Sequence, residues 1–300
     1  MSILVVGSVA LDTVETPFGR GEYILGGSAT HFSIAASFFT DVSLVAVVGE
    51  DFPDAHVDFL KSRGIRTDGL ERVSGGKTFH WQGRYGYDLS NPETLKTELN
   101  AFETFKPKLP KESRKSKYVF LANIDPLLQL EVLDQIESPD FVACDTMNFW
   151  IESKSQDLKR VISKVDAFII NEGEARLFAK ERNLIKAVRT IQSWGPKTLI
   201  IKQGEYGALL FHGDQIFSAP GLPLEEIKDP TGAGDSFAGG FMGYLAKMTS
   251  SDVEDLRQAV IYGSVMASFN VEEFSCDRMR TLSQQDILYR YKEFQNLARF

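Results

Sequence analysis

The sequence predicts an α/β fold: a central, mostly parallel sheet with helices on both faces, a small β lid from segments 13–25 and 77–88, and one domain spanning 1–300. Three observations lead there. Short apolar runs alternate with helix-patterned segments nearly from end to end, as βα units do. The runs Ile3–Val6, Val42–Val48, Tyr118–Ala122, Phe141–Asp145, Ala167–Ile170 and Thr198–Lys202 are mostly continuous rather than alternating, as strands buried on both faces are. Glycine-bearing turns open helices at 26–31 and 229–235, where an α/β sheet would place ligands.

With 300 residues the chain can bury a large core. Thirty-three basic against 41 acidic side chains leave a net charge of −8, which argues against a general nucleic-acid or anionic-membrane surface but not against a local phosphate pocket. Two cysteines, Cys144 and Cys276, are too few for a disulfide framework and lack metal-ligand spacing, so the cytoplasm is the expected compartment. The start, Ser-Ile-Leu-Val-Val-Gly, has no basic leader, and no stretch approaches the ~18 apolar residues that span a bilayer.

In chain order, Ile3–Val6 reads as the first buried strand, and Asp12 lies just beyond it. Asp12 suits either a ligand contact or a turn cap. Residues 13–25, with Pro17, Gly19 and Gly21, read as a hairpin. Gly26-Gly27-Ser28-Ala29-Thr30-His31 then opens a helix through Phe38, two glycines permitting close backbone approach to a ligand. His31 could contact that ligand or be a satisfied helix residue. Val42–Val48 is a second strand, Pro53 starts a helix to Arg63, and Gly64 and Gly69 punctuate the next stretch of chain.

In Lys77–Asp88, the residues Phe79, Trp81, Tyr85 and Tyr87 fall at period two on one face, with His80, Gln82 and Arg84 on the other. This reads as part of a small β appendage whose aromatic face meets a ligand, the core, or a second copy in a homodimer. Residues Asn91–Lys117 read as surface helix and loop. Asp145 and Asn148 stand at the end of a later strand, facing a cleft or forming a turn. Asn171 and Glu174 have the spacing of a capping box. Lys202, Gly204 and Gly207 follow another strand, and the glycines suit a hairpin turn that gives Lys202 no task.

The organising stretch is Asp229-Pro230-Thr231-Gly232-Ala233-Gly234-Asp235, ahead of the small-residue helix Ala238, Gly239, Gly240, Gly243. Pro230 turns the chain, and Gly232 and Gly234 let N–H groups crowd together at a helix N-terminus, a ready anion site. Asp235 is then a base beside an anion hole made by the amides of Ala233, Gly234 and Asp235, the arrangement that phosphoryl transfer to a hydroxyl requires. As an ordinary first-turn carboxylate, Asp235 would contribute only ~0.3–1 kcal/mol.

This order of residues resembles the signature Asp-Thr-x-Gly-Ala-Gly-Asp of the PfkB/ribokinase family of sugar and nucleoside kinases, departing by Pro230. The Gly26-Gly27 stretch resembles that family's N-terminal signature, with His31 at its usual Asn; Asn171 and Glu174 resemble its Asn-x-x-Glu motif. The resemblance covers essentially the whole chain and implies a ribokinase-like fold with ATP and Mg2+ as cofactors. It implies acceptor hydroxyls held by Asp12, Gly26, Gly27 and His31, with Trp81 and Asn148 lining the acceptor site. It implies nucleotide contacts from Asn171, Glu174, Lys202, Gly204, Gly207, Thr231 and Gly263, and magnesium near Asn171 and Glu174 through water. The expected activity is transfer of the γ-phosphoryl of ATP to a primary hydroxyl, with the aromatic lid favouring a nucleoside over a sugar such as ribose or fructose. A non-catalytic sugar- or nucleotide-binding protein is the rival from another class. A nicotinamide or flavin dehydrogenase is disfavoured, because no G-x-G-x-x-G follows the first strand.

Overall fold

A computed structural model describes residues 2–299. Strand β1 (Ser2–Val6) leads into a hairpin, β2 (Ala10–Thr16) and β3 (Gly19–Gly26). Helix α1 (Ser28–Ala36) returns the chain to β4 (Asp41–Gly49), α2 (Asp54–Ser62) and β5 (Ile65–Val73). A second excursion forms β6 (His80–Arg84) and β7 (Glu93–Glu98). Next come β8 (Tyr118–Leu121), α3 (Pro126–Leu133), β9 (Phe141–Asp145), α4 (Asn148–Ser153), α5 (Ser155–Ile162) and β10 (Ala167–Asn171). The alternation continues through α6 (Glu172–Ala179), α7 (Leu184–Gln192), β11 (Thr198–Lys202) and the hairpin β12 (Gly207–His212) and β13 (Gln215–Pro220). Helices α8 (Ala233–Met248), α9 (Val253–Asn270), α10 (Asp277–Thr281) and α11 (Gln284–Leu297) complete the chain.

Nine strands form the main sheet in the order β13-β12-β11-β10-β9-β8-β1-β4-β5, parallel except where β12 pairs with β11 and β13. Strand residues alternate between two cores: Ile3, Val5 and Phe120 point to the face covered by Phe32, Phe241 and Phe269, while Leu4, Val6 and Val119 point to Leu130, Leu158 and Phe178. Burial on both faces is why these strands carry unbroken apolar runs. Every helix that crosses from one parallel strand to the next leaves the strands' carboxyl ends at one rim, and the polar residues of the candidate site gather there.

The second sheet has four strands in the order β3-β2-β6-β7. It contains both expected segments, but it also takes Glu93–Glu98 from a region read as surface helix and loop. That strand is exposed along almost its whole length, so its partner's backbone holds it and no apolar alternation marks it. The single aromatic face expected over Phe79–Tyr87 does not form. The strand ends at Arg84, leaving Tyr87 88% exposed beyond it, while Tyr85 turns inward and His80 is buried. Strand β5 was hidden by Gly69 and its charges; it lies at the sheet edge and passes so close to β4 that a Cβ at Gly69 would stand 2.8 Å from Leu44 O. Among the described residues no helix is long and apolar enough to cross a membrane.

Candidate active site

The turn before α8 is tied down from several sides. Asp229, almost fully buried, accepts the Thr231 N–H on Oδ1 (2.9 Å) and the Ser275 N–H on Oδ2 (3.3 Å). Asn270 Nδ2 donates to Thr231 O (2.7 Å). Gly232 sits at φ +77°, and a Cβ there would lie 2.3 Å from the His31 ring, so glycine is required twice over. The Ala233 N–H is taken by Pro230 O (3.2 Å), which removes it from the expected anion hole. Among the described residues nothing accepts from the Gly234 N–H, which at the start of the 16-residue α8 remains for an anion, whereas the Asp235 N–H turns to its own carboxylate.

Asp235 stands in that first turn, partly exposed. Burial pushes its carboxyl up to about 6, against the pull of the Lys202 ammonium and its own N–H. Lys202 ends β11, and its Nζ would lie 2.7 Å from a Cβ on Gly234. Asp145, ending β9, is buried with Oδ1 unpartnered; burial and the charge of Asp235 hold it well above the usual carboxylate range while Lys202 opposes. Burial likewise raises Glu174, with Lys202 opposing. Three carboxyls, from the end of β9, the first turn of α6 and the first turn of α8, therefore feel the field of one ammonium. Asn171 and Glu174 form the anticipated capping box, each side chain accepting the other's N–H at 2.8 Å.

Across the cleft, Asp12 on β2 is buried, with one carboxylate oxygen unpartnered. Burial pushes it up to about 7, opposed by the N–H groups of Gly27 and Trp81 and assisted by the charges of Asp229 and Asp235. A Cβ on Gly26 would fall 2.0 Å from Asp12 Oδ2, and Gly27 sits at φ +96° against Ser8 O. Both glycines thus let the backbone close around this carboxyl. His31 is buried and held neutral by burial, its pKa lowered to about 4. Its Nδ1 pairs with Asn270 Oδ1 (3.0 Å), which also accepts from Ser236 Oγ (2.9 Å), so the ring braces the turn from beneath.

Other anticipated residues are placed differently. The Trp81 indole lies across Gly83 and gives its Nε1–H to Thr94 Oγ1 (3.3 Å); its main-chain N–H is what acts on Asp12. Asn148 is exposed at the start of α4. Gly204 (φ +60°) and Gly207 (φ +103°) meet the geometry of the β11–β12 turn, a Cβ on Gly207 falling 2.1 Å from Ala219 O. Gly263 is buried where α9 crosses α8, and a Cβ would stand 2.8 Å from Phe237 O, so close helix packing accounts for the glycine. Asn270 and Ser275, which bind the turn to α1 and β3, carry no local signature and went unread.

Comparison with known proteins bears on the family and the fold. The chain matches the family described as pfkB family carbohydrate kinase over residues 2–281. It is 33% identical over 248 residues to the cytidine kinase of Thermococcus kodakarensis, covering 81% of this chain and 87% of that protein. Its fold is similar to that of the nucleoside kinase of Methanocaldococcus jannaschii, an archaeal member of the ribokinase family (TM-score 0.78, 20% identity, 97% of this chain and 98% of that one). The nucleoside kinase of Burkholderia thailandensis, solved with inosine, is equally close (TM-score 0.78, 18% identity, 98% and 99% covered). A matched family spanning nearly the whole chain, with the fold to go with it, settles the assignment: this protein is a phosphotransferase of the pfkB family of carbohydrate kinases.

Proposed function

We propose that the protein is an ATP-dependent nucleoside kinase, working as one domain with the four-stranded sheet as its lid, and that Asp235 is its general base. The observation that carries this reading is the raised carboxyl of Asp235, to about 6, at a helix start with the unclaimed Gly234 amide and the Lys202 ammonium. Above that pH the carboxylate can take the proton of a primary hydroxyl as the hydroxyl oxygen bonds to the γ-phosphorus and the bond from that phosphorus to the β–γ bridging oxygen breaks, releasing ADP. The Gly234 amide and Lys202 offset charge on the transferring phosphoryl. Asp12, with a buried unpartnered oxygen and the backbone of Gly26 and Gly27 around it, would hold acceptor hydroxyls.

Among the described residues no three His, Cys, Asp or Glu side chains converge as a metal cage. The donor set nonetheless fits magnesium, which keeps several waters and needs only one or two carboxylates beside the phosphates. Glu174 and Asn171, partly spent on their capping box, would hold it through water, and the unpartnered Asp145 Oδ1 adds a further oxygen. Bound there, the ion would neutralise phosphate charge. Thr231 would border the nucleotide phosphates.

The likeness to a cytidine kinase supports a nucleoside over a simple sugar as acceptor. Exposed Phe18, Tyr23 and Tyr87 on the small sheet support a homodimer through it, and the composition supports a cytoplasmic enzyme. ADP release measured across ribonucleosides and sugars tests the function, with nucleosides expected to turn over fastest. Turnover of sugars alone would overturn the nucleoside reading.

A further inference from the structure

We propose that Tyr85 is a positioning residue: its phenol latches the four-stranded sheet onto the turn that precedes α8, so that closure of the sheet and the shape of the turn are set together. Tyr85 follows β6 directly, and its N–H donates to Glu15 O (2.8 Å), which fixes it to the small sheet. Its side chain leaves that sheet, is only 8% exposed, and accepts a hydrogen bond from Thr231 Oγ1 (3.2 Å) across 146 residues of sequence.

Thr231 is otherwise held wholly by the main body, through its N–H to Asp229 and its carbonyl to Asn270. The phenol adds the tether from the other side of the cleft. Two further contacts from the small sheet reach the 274–275 loop: Gly19 packs beside Phe274, and Ser275 Oγ donates to Leu25 O. Burial raises the Tyr85 phenol to about 12, the Thr231 bond opposing and the charges of Asp229, Asp12 and Asp235 adding. A sheet that had swung open would leave Thr231 with one tether fewer and the turn freer to relax.

The latch rests on reading this turn as the phosphate-binding element, and its test separates the two ideas. In the full chain without ligands, Tyr85→Phe should speed amide hydrogen exchange at both His80–Arg84 and Thr231–Asp235 by about fivefold, the scale of one lost hydrogen bond. Unchanged exchange in the turn would overturn the latch whatever the enzyme phosphorylates. With whichever acceptor the unaltered chain uses, Tyr85→Phe and Thr231→Val should each lower kcat by about fivefold or more, and the double variant should lose little beyond the larger single loss. Losses that multiply would show two independent side chains and no latch. A merely structural role would lower Tm without that coupling in kcat. An unaltered chain that phosphorylates nothing would sink the kinase reading, and the exchange result would still decide the latch.

Discussion

The ammonium of Lys202 occupies the space that a side chain on Gly234 would need: Nζ lies 2.7 Å from where a Cβ would stand. The end of a central strand and the start of α8 thereby meet at one point, and the charge that draws Asp235 toward ionisation arrives there. The second glycine of the turn is needed for room beside an ammonium, whereas the first, Gly232, is needed for backbone conformation and for room above His31. Lys202, unexplained by a hairpin turn alone, acquires a task.

The two glycines should therefore fail differently. Gly234→Ala meets only the flexible tip of Lys202, so Tm should hold while kcat falls by about tenfold, less than the ~10²–10³ of a lost anion-hole donor. Gly232→Ala meets a buried ring at φ +77° and should cost about 1–3 kcal/mol of stability. Thermal unfolding beside steady-state kinetics distinguishes them, and a matching Tm loss at Gly234 would count against the Lys202 geometry.

The pH profile derives from the ionisation of Asp235. A base must be deprotonated to act, so kcat/KM should climb about tenfold per pH below about 6 and flatten above it. Because the Lys202 ammonium pulls that carboxyl down, Lys202→Met should move the midpoint to higher pH. Rates between about pH 5 and 8 check both, and a midpoint unmoved in Lys202→Met would separate the two groups.

Much of the molecule is legible in its sequence. The main sheet announces itself because strands buried on both faces must be apolar throughout, and the Asp229–Asp235 turn because glycines and a carboxylate at a helix start leave few readings. What escapes is held by partners distant in sequence. Strand Glu93–Glu98 is polar and exposed, kept in place by the β6 backbone, and Gln215–Pro220 is the outer half of an edge hairpin. Tyr85 reads as one rung of an aromatic ladder because period two does not reveal where a strand stops. Gly263 looks available to a ligand, but its missing side chain serves the crossing of two helices.

Asp12 should show a conflict between stability and function. Its folded pKa, about 7 against an ordinary 3.8, means that folding favours the protonated form. That advantage is complete below the unfolded value and is lost as pH rises through about 7, at up to ~1.4 kcal/mol per pH unit. Asp12→Asn should therefore raise Tm more at pH 8 than at pH 5 while weakening acceptor use. Equal Tm gains at both pH values would contradict the buried, strained carboxyl.

The most direct test is Asp235→Asn, which keeps the size of the side chain and removes its basicity. Turnover of nucleoside should fall by about 10² to 10⁴ with nucleotide affinity, read by calorimetry, nearly unchanged. A variant that turned over at close to the parental rate would contradict the assignment of this carboxylate as the base.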